Sequence, residues 1–175
     1  QIIIELFADH LPSDDELASA LRVIDEVTAE DMRTSPSTAT DGAADLLSHL
    51  AHAGASQSVL TGNTPERAQL KVTTAHLADH IDFDSGYYGD VHSTRMELVA
   101  AAAERLSLQK GLQPVIVGDT PLDILAAHAS GFPVIATTTG IFDATALEEH
   151  RPDAIVSDFS DARAFAETIS AIVSR

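Results

Sequence analysis

The sequence predicts an α/β fold, a three-layer core with a mainly parallel sheet, plus a small helical cap. Three observations point there. The stretch from Pro114 to Gly140, PVIVGDTPLDILAAHASGFPVIATTTG, has the pattern strand–helix–strand. A second strand-to-helix turn of the same kind stands at Ser58 to Pro65, SVLTGNTP. Ahead of both, roughly the first forty residues carry helical signals without a strand pattern.

In chain order, Ile2, Ile3, Ile4, Leu6 and Phe7 open a helix that stops near Leu11-Pro12. Ser13 followed by Glu16 is a capping-box signature that starts a second helix through Ala29. RTSPSTAT, Arg33 to Thr40, is a polar loop. The boundary between a helical cap segment, 1–40, and an α/β core, 41–175, is placed there. A third helix runs from Ala43 to Ala53 and ends at Gly54. SVLTGN is expected as a short buried strand closed by a polar turn. Thr64 then serves as N-cap and Pro65 as first helical residue.

Ile81 to Phe83 is expected as a short strand, and Thr94 or Asp90 begins the helix MELVAAAAERL. Val115, Ile116 and Val117 form a buried strand that turns sharply at Gly118-Asp119-Thr120-Pro121. The amphipathic run Leu122 to Ala129 is closed by Gly131, and Val134 to Ala136 is the next strand. A loop, a last short strand at Ala154 to Val156 and a closing helix from Ala162 to Val173 follow. Strands joined through a crossover helix are parallel and the connection is right-handed. All their C-terminal ends then share one sheet edge, where ligands bind.

Composition excludes several classes of function. With 175 residues and 45% hydrophobic content, the chain suits one domain, or a core with a small insertion. A formal charge of −17 argues against a nucleic-acid partner, which recruits basic patches. The acidic balance suits a soluble cytoplasmic protein and is compatible with a bound divalent cation. There is no cysteine, so no disulfide, thiolate metal site or thiol nucleophile exists. No apolar run approaches the length of a membrane span. The chain opens at Gln1 inside an apolar run, and the natural polypeptide is expected to start upstream.

Four groups of residues stand out. Asp119 and Asp123 lie four apart just past a strand, in GDTPLD. Thr120, Pro121 and Asp123 fit a helix cap, but a cap leaves Asp119 unexplained. Mg2+ takes carboxylate oxygens and completes its shell with waters and phosphate, so both readings stay open. Thr61, Gly62 and Asn63 make another strand-to-helix turn. Their hydroxyl, amide and backbone N–H could grip an anion, although an ordinary turn would look the same. Arg95 stands in the first turn of its helix, a poor place for a cation, which hints at a nearby anion. In HLADH, His76 and His80 could meet on one helix face, but Leu77 replaces the glutamate a zinc peptidase needs. They, with His49 and His52, are read as a solvated face.

VLTGN on one strand and VIVGDTPLDI on a later one resemble motifs of the haloacid-dehalogenase-like (HAD) hydrolases. Phosphoglycolate-phosphatase-like members with a helical cap are the nearest resemblance. QIIIELF is similar to an early cap segment, and FDSGYYGDVHSTRMELVAAAAERL to the third-motif region. The resemblance implies a Rossmann-like core and Mg2+-dependent hydrolysis of a small phosphorylated metabolite through an aspartyl-phosphate. It implies Asp119 and Asp123 at the metal, Thr61, Gly62 and Asn63 on the substrate, and Arg95 where the family usually has lysine. Arg95 and Asp123 would then be catalytic. The first motif, a strand ending in DxDxT, is absent from these residues, so the nucleophile is expected upstream of residue 1. In the family sheet that strand lies between the one ending at Thr61 and the one ending at Gly118. A non-catalytic binding protein and a C–halogen hydrolase on the same scaffold are the alternatives. Monomer and homodimer both stay open.

Overall fold

The computed structural model describes residues 13–92, 94–109 and 111–174. The helix expected over Ile2 to Leu11 lies outside them. Helix α1 spans Asp14–Thr34, α2 Ala43–His52, α3 Pro65–Thr74 and α4 Arg95–Ser107. Strand β1 is Ile116–Gly118, followed by α5, Pro121–Ala129, and β2, Val134–Thr137. Helix α6 covers Ala144–Glu148, β3 Ala154–Val156 and α7 Ala162–Val173.

The three strands pair in parallel in the order β1-β2-β3. Ile116 stands opposite Val134, and Ile135 opposite Ala154. Strand β2 is central and buried along its whole length, so its sequence, VIAT, is apolar on both faces rather than alternating. Its side chains divide between two helical layers. Val134 and Ala136 pack with Ile124, Ala127 and Leu147, from α5 and α6. Ile135 packs with Leu46, Phe165 and Ile172, from α2 and α7. The α/β layering expected from the strand–helix–strand pattern is thus present. Ile124, Ile135 and Leu147 have no exposed surface; burying each contributes about 1.5–3 kcal/mol before chain entropy is subtracted.

Several elements differ from the sequence reading. Helix α1 runs on to Thr34, into the residues expected as loop. Its N-terminal capping box at Ser13 and Glu16 is present. SVLTGN is not a buried strand: Leu60 alone makes a parallel bridge, to Tyr87. Thr61 N donates to Tyr87 O, and Tyr87 N to Val59 O. Ile81–Phe83 is not that partner. Ala78–His80 forms a 3₁₀ turn just before it. Asp82 Oδ1 then accepts from the N–H groups of Asp84 and Ser85, bending the chain. The Ser85 hydrogen bonds hold the exposed Asp82 carboxyl below its usual pKa. Pairing is displaced to Tyr87, beyond that bend.

Strand β1 begins one residue later than expected, and Val117 is 46% exposed rather than buried. Among the described residues β1 pairs only with β2, so its outer edge is open. Helix α6 stands where only a loop was expected; Asp143 caps it by accepting from Ala146 N at 2.9 Å. His76 has a left-handed backbone, φ 59°, immediately beyond α3, so His76 and His80 do not share a helix face.

Replacing Ile124 by alanine should lower unfolding free energy by about 2–5 kcal/mol. Leu108→Ala, at a position 82% exposed, should change it by less than about 0.5 kcal/mol. Urea unfolding of both variants checks the pair.

Candidate functional site

The turn after β1 is shaped by its own residues. Thr120 caps α5 by accepting from Asp123 N, and Asp123 answers through Oδ2, which accepts from Thr120 N at 3.1 Å and from Thr120 Oγ1 at 2.8 Å. This reciprocal cap accounts for one oxygen of Asp123. The other, Oδ1, meets Arg95 Nε at 2.9 Å. Asp123 is 6% exposed, so its charge is held by a full set of donors rather than by water. Gly118 makes room for it, because a Cβ there would collide with the Asp123 side chain.

Arg95 does a second thing. Its Nη1 donates to Leu60 O at 2.8 Å. One guanidinium therefore touches the segment leading into Thr61 and the helix that follows Asp119. Arg95 thus links Leu60, just before Thr61, with Asp123. Arg95 is the first residue of α4, held there by the Thr94–Glu97 capping box. The Asp90 alternative for the helix start is not used.

Around Thr61 the geometry is equally specific. Asn63 N and Asn63 Nδ2 both donate to Thr61 Oγ1, at 3.2 and 2.8 Å. With both lone pairs engaged, the Thr61 hydroxyl has its proton left to donate elsewhere. Lys71 Nζ lies 3.4 Å from Asn63 Oδ1, which turns the Asn63 amide nitrogen toward Thr61. Gly62 is exposed and faces no crowding, while Gly89 closes behind it; a Cβ on Gly89 would strike the Gly62 carbonyl. Thr64 then caps α3, accepting from Arg67 N, with Pro65 at the first position.

Asp119 is half-buried and lies over Gly140, in the loop that follows β2; a Cβ on Gly140 would run into its carboxylate. Among the described residues it has no hydrogen-bond or ion-pair partner. It is thus the carboxylate free to take a cation, whereas both oxygens of Asp123 are already occupied. No group of three or more His, Asp or Glu suited to a metal occurs among the described residues.

Sequence reasoning missed three contributors. The Leu60 carbonyl has no side-chain signature. Lys71 is eight residues from Asn63 and showed no motif. Asp25, on α1, reaches Thr64 and Arg67 from about forty residues away, a pairing no local pattern reveals.

Residues 95–162 match the HAD-hydrolase-like family model. That segment includes Arg95, Asp119 and Asp123. A solved structure from Bacteroides vulgatus, provisionally assigned as a β-phosphoglucomutase, superposes with a TM-score of 0.66 at 17% identity, covering 99% of this chain and 70% of that one. Residues 95–162, under half of the chain, are thus similar to the HAD-hydrolase-like family. A HAD family hydrolase from Deinococcus radiodurans, solved with phosphate and sodium bound, has a TM-score of 0.60 at 22% identity, over 95% of this chain and 73% of that one. A predicted phosphoglycolate phosphatase from Haemophilus somnus has a TM-score of 0.55 at 24% identity, over 70% of this chain and 54% of that one. The chain thus spans about half to three quarters of the length of these structures. At these identities the likeness establishes the fold. No curated protein matches the chain in sequence.

Arg95→Met strands a buried carboxylate at Asp123 and should destabilise the protein by about 3–5 kcal/mol. Asp123→Leu added to Arg95→Met should cost less than the sum of the two single changes. A double-mutant cycle by urea unfolding should give a coupling of about 0.5–3 kcal/mol.

Proposed function

We propose that the chain belongs to a Mg2+-dependent phosphatase that hydrolyses a small phosphorylated metabolite through an aspartyl-phosphate. The observation that carries the reading is the Arg95 guanidinium, bound at once to Leu60 O and Asp123 Oδ1. It gathers an anion-gripping turn, an unpartnered carboxylate and a cation at one place. Phosphate-ester hydrolysis needs that combination, because charge on the phosphoryl oxygens must be offset while a nucleophile approaches.

Each residue has a role in this reading. The Thr61 hydroxyl, its proton free, donates to a phosphoryl oxygen, and the Gly62 N–H supplies a backbone donor. Asn63 holds the Thr61 oxygen in place. Asp119 would hold Mg2+, which when bound neutralises phosphoryl charge. Asp123 is assigned to orienting Arg95 rather than to direct ligation, since its oxygens are filled from within the chain. Arg95 would contribute positive charge beside the phosphate; its planar fork can keep both present contacts while its remaining N–H groups face outward.

The nucleophilic aspartate is assigned to polypeptide upstream of residue 1, on a strand seated between Leu60 and the open edge of β1. Its carboxylate oxygen would form the new bond to phosphorus as the ester oxygen leaves, and water would then cleave the acyl-phosphate. Helix α1 and the segment before it would form the cap that limits substrate size. No helix among the described residues is long and apolar enough to cross a membrane, and a cytoplasmic setting goes with this reading.

The test is phosphate release from an aryl phosphate by the protein at its natural length. Activity should require Mg2+, disappear with chelator and fall by at least about 10³-fold in Asp119→Ala. Magnesium binding without phosphate release across a broad substrate panel would favour a non-catalytic protein. Halide release indifferent to chelator would favour C–halogen hydrolysis.

A further inference from the structure

Asp25 lies midway along α1, yet its carboxylate belongs to the turn after Asn63. Its Oδ1 accepts three hydrogen bonds: from Thr64 Oγ1 at 2.8 Å, Arg67 Nε at 2.8 Å and Arg67 Nη2 at 2.6 Å. The Arg67 side chain is 10% exposed and Thr64 is 4% exposed. Thr64 Oγ1 also accepts from Arg67 N at 3.3 Å, so this hydroxyl is fixed as donor to Asp25 and acceptor from α3. With the Asp25 side chain 26% exposed and three donors on one oxygen, the pair is more than an ordinary surface contact.

Apolar packing of α1 is partial: Leu17, Leu21, Ile24 and Met32 are half-buried on one face. None of its residues is buried, and Val23 and Val27 are each 55% exposed. Its neighbour among the described elements is α3, the helix that Thr64 and Arg67 begin. The Asp25 contact, with Thr74 Oγ1 near Met32 Sδ at 3.8 Å further along, ties α1 to α3, and the Asp25 end abuts the turn Thr61–Asn63.

We propose that Asp25 is a positioning residue that locks α1 to the N-terminal turn of α3, so that anion binding at Thr61–Asn63 and docking of α1 are coupled events. The inference rests on the phosphate-binding reading of that turn. Coupling of this kind is reciprocal: an anion that orders the turn must also favour docked α1, and docked α1 must favour the anion. Thr64 is covalently next to Asn63, so the path is one residue long.

Amide hydrogen exchange on the protein at its natural length, with inorganic phosphate as the sole ligand, tests this. Phosphate should slow exchange over residues 61–68 and also over α1, the latter by about fivefold or more. In Asp25→Asn the slowing in α1 should vanish while β2 keeps its protection. Arg67→Gln, which breaks the same contact from the other side, should reproduce the loss. Thr64→Ser, which keeps the hydroxyl, should retain the coupling. Protection at 61–68 without any change in α1 overturns the coupling and leaves the phosphate reading standing. Persistence of the α1 response in Asp25→Asn or Arg67→Gln, or its loss in Thr64→Ser, overturns it as well. No response at 61–68 removes the phosphate reading and this inference together.

Discussion

The contact on which the site depends is the pair of bonds made by Arg95, one to the Leu60 carbonyl and one to Asp123. Leu60 is outside the three-stranded sheet and is joined to it by no ladder hydrogen bond among the described residues. Arg95 is one of the polar links between that segment and the sheet's helices, beside the bond from Gln57 Nε2 to Leu47 O at 2.8 Å. A guanidinium suits the task because its donors diverge in one plane at fixed angles, so satisfying one acceptor sets the direction of the next. A lysine ammonium is a point charge on a flexible stem and would not impose the same spacing.

Burial makes this contact consequential. Asp123 is almost fully enclosed, and an enclosed carboxylate without donors is costly. Its two oxygens divide the work: one closes the cap on α5, the other anchors Arg95. The residue that shapes the turn is thereby the residue that orients the cation, and Asp119 beside it keeps its carboxylate uncommitted. A single local motif, GDTPLD, thus supplies one structural carboxylate and one available carboxylate four positions apart.

Much of this was legible in the sequence where the determinants are local. The Thr120–Asp123 and Ser13–Glu16 boxes, the proline-led helix starts and the apolar run of β2 depend on neighbours a few residues apart, and each appears where expected. Strand pairing around Leu60 was not legible. Its partner, Tyr87, lies beyond the bend at Asp82, and no local pattern marks it. Expecting Asp123 near the metal was reasonable from spacing alone, yet spacing does not say which oxygens a distant arginine occupies. The Asp25 contact was invisible for the same reason, since it joins residues that only the folded arrangement brings together.

The outer side of β1 presents free backbone groups over only three residues, preceded by Pro114 within two positions and ended by Gly118. A long bare margin of this type would act as a template for indiscriminate stacking of molecules and lead to aggregation. One this brief cannot nucleate such growth effectively. Among the described residues that margin runs only the length of β1, so the opportunity for self-association through it is small.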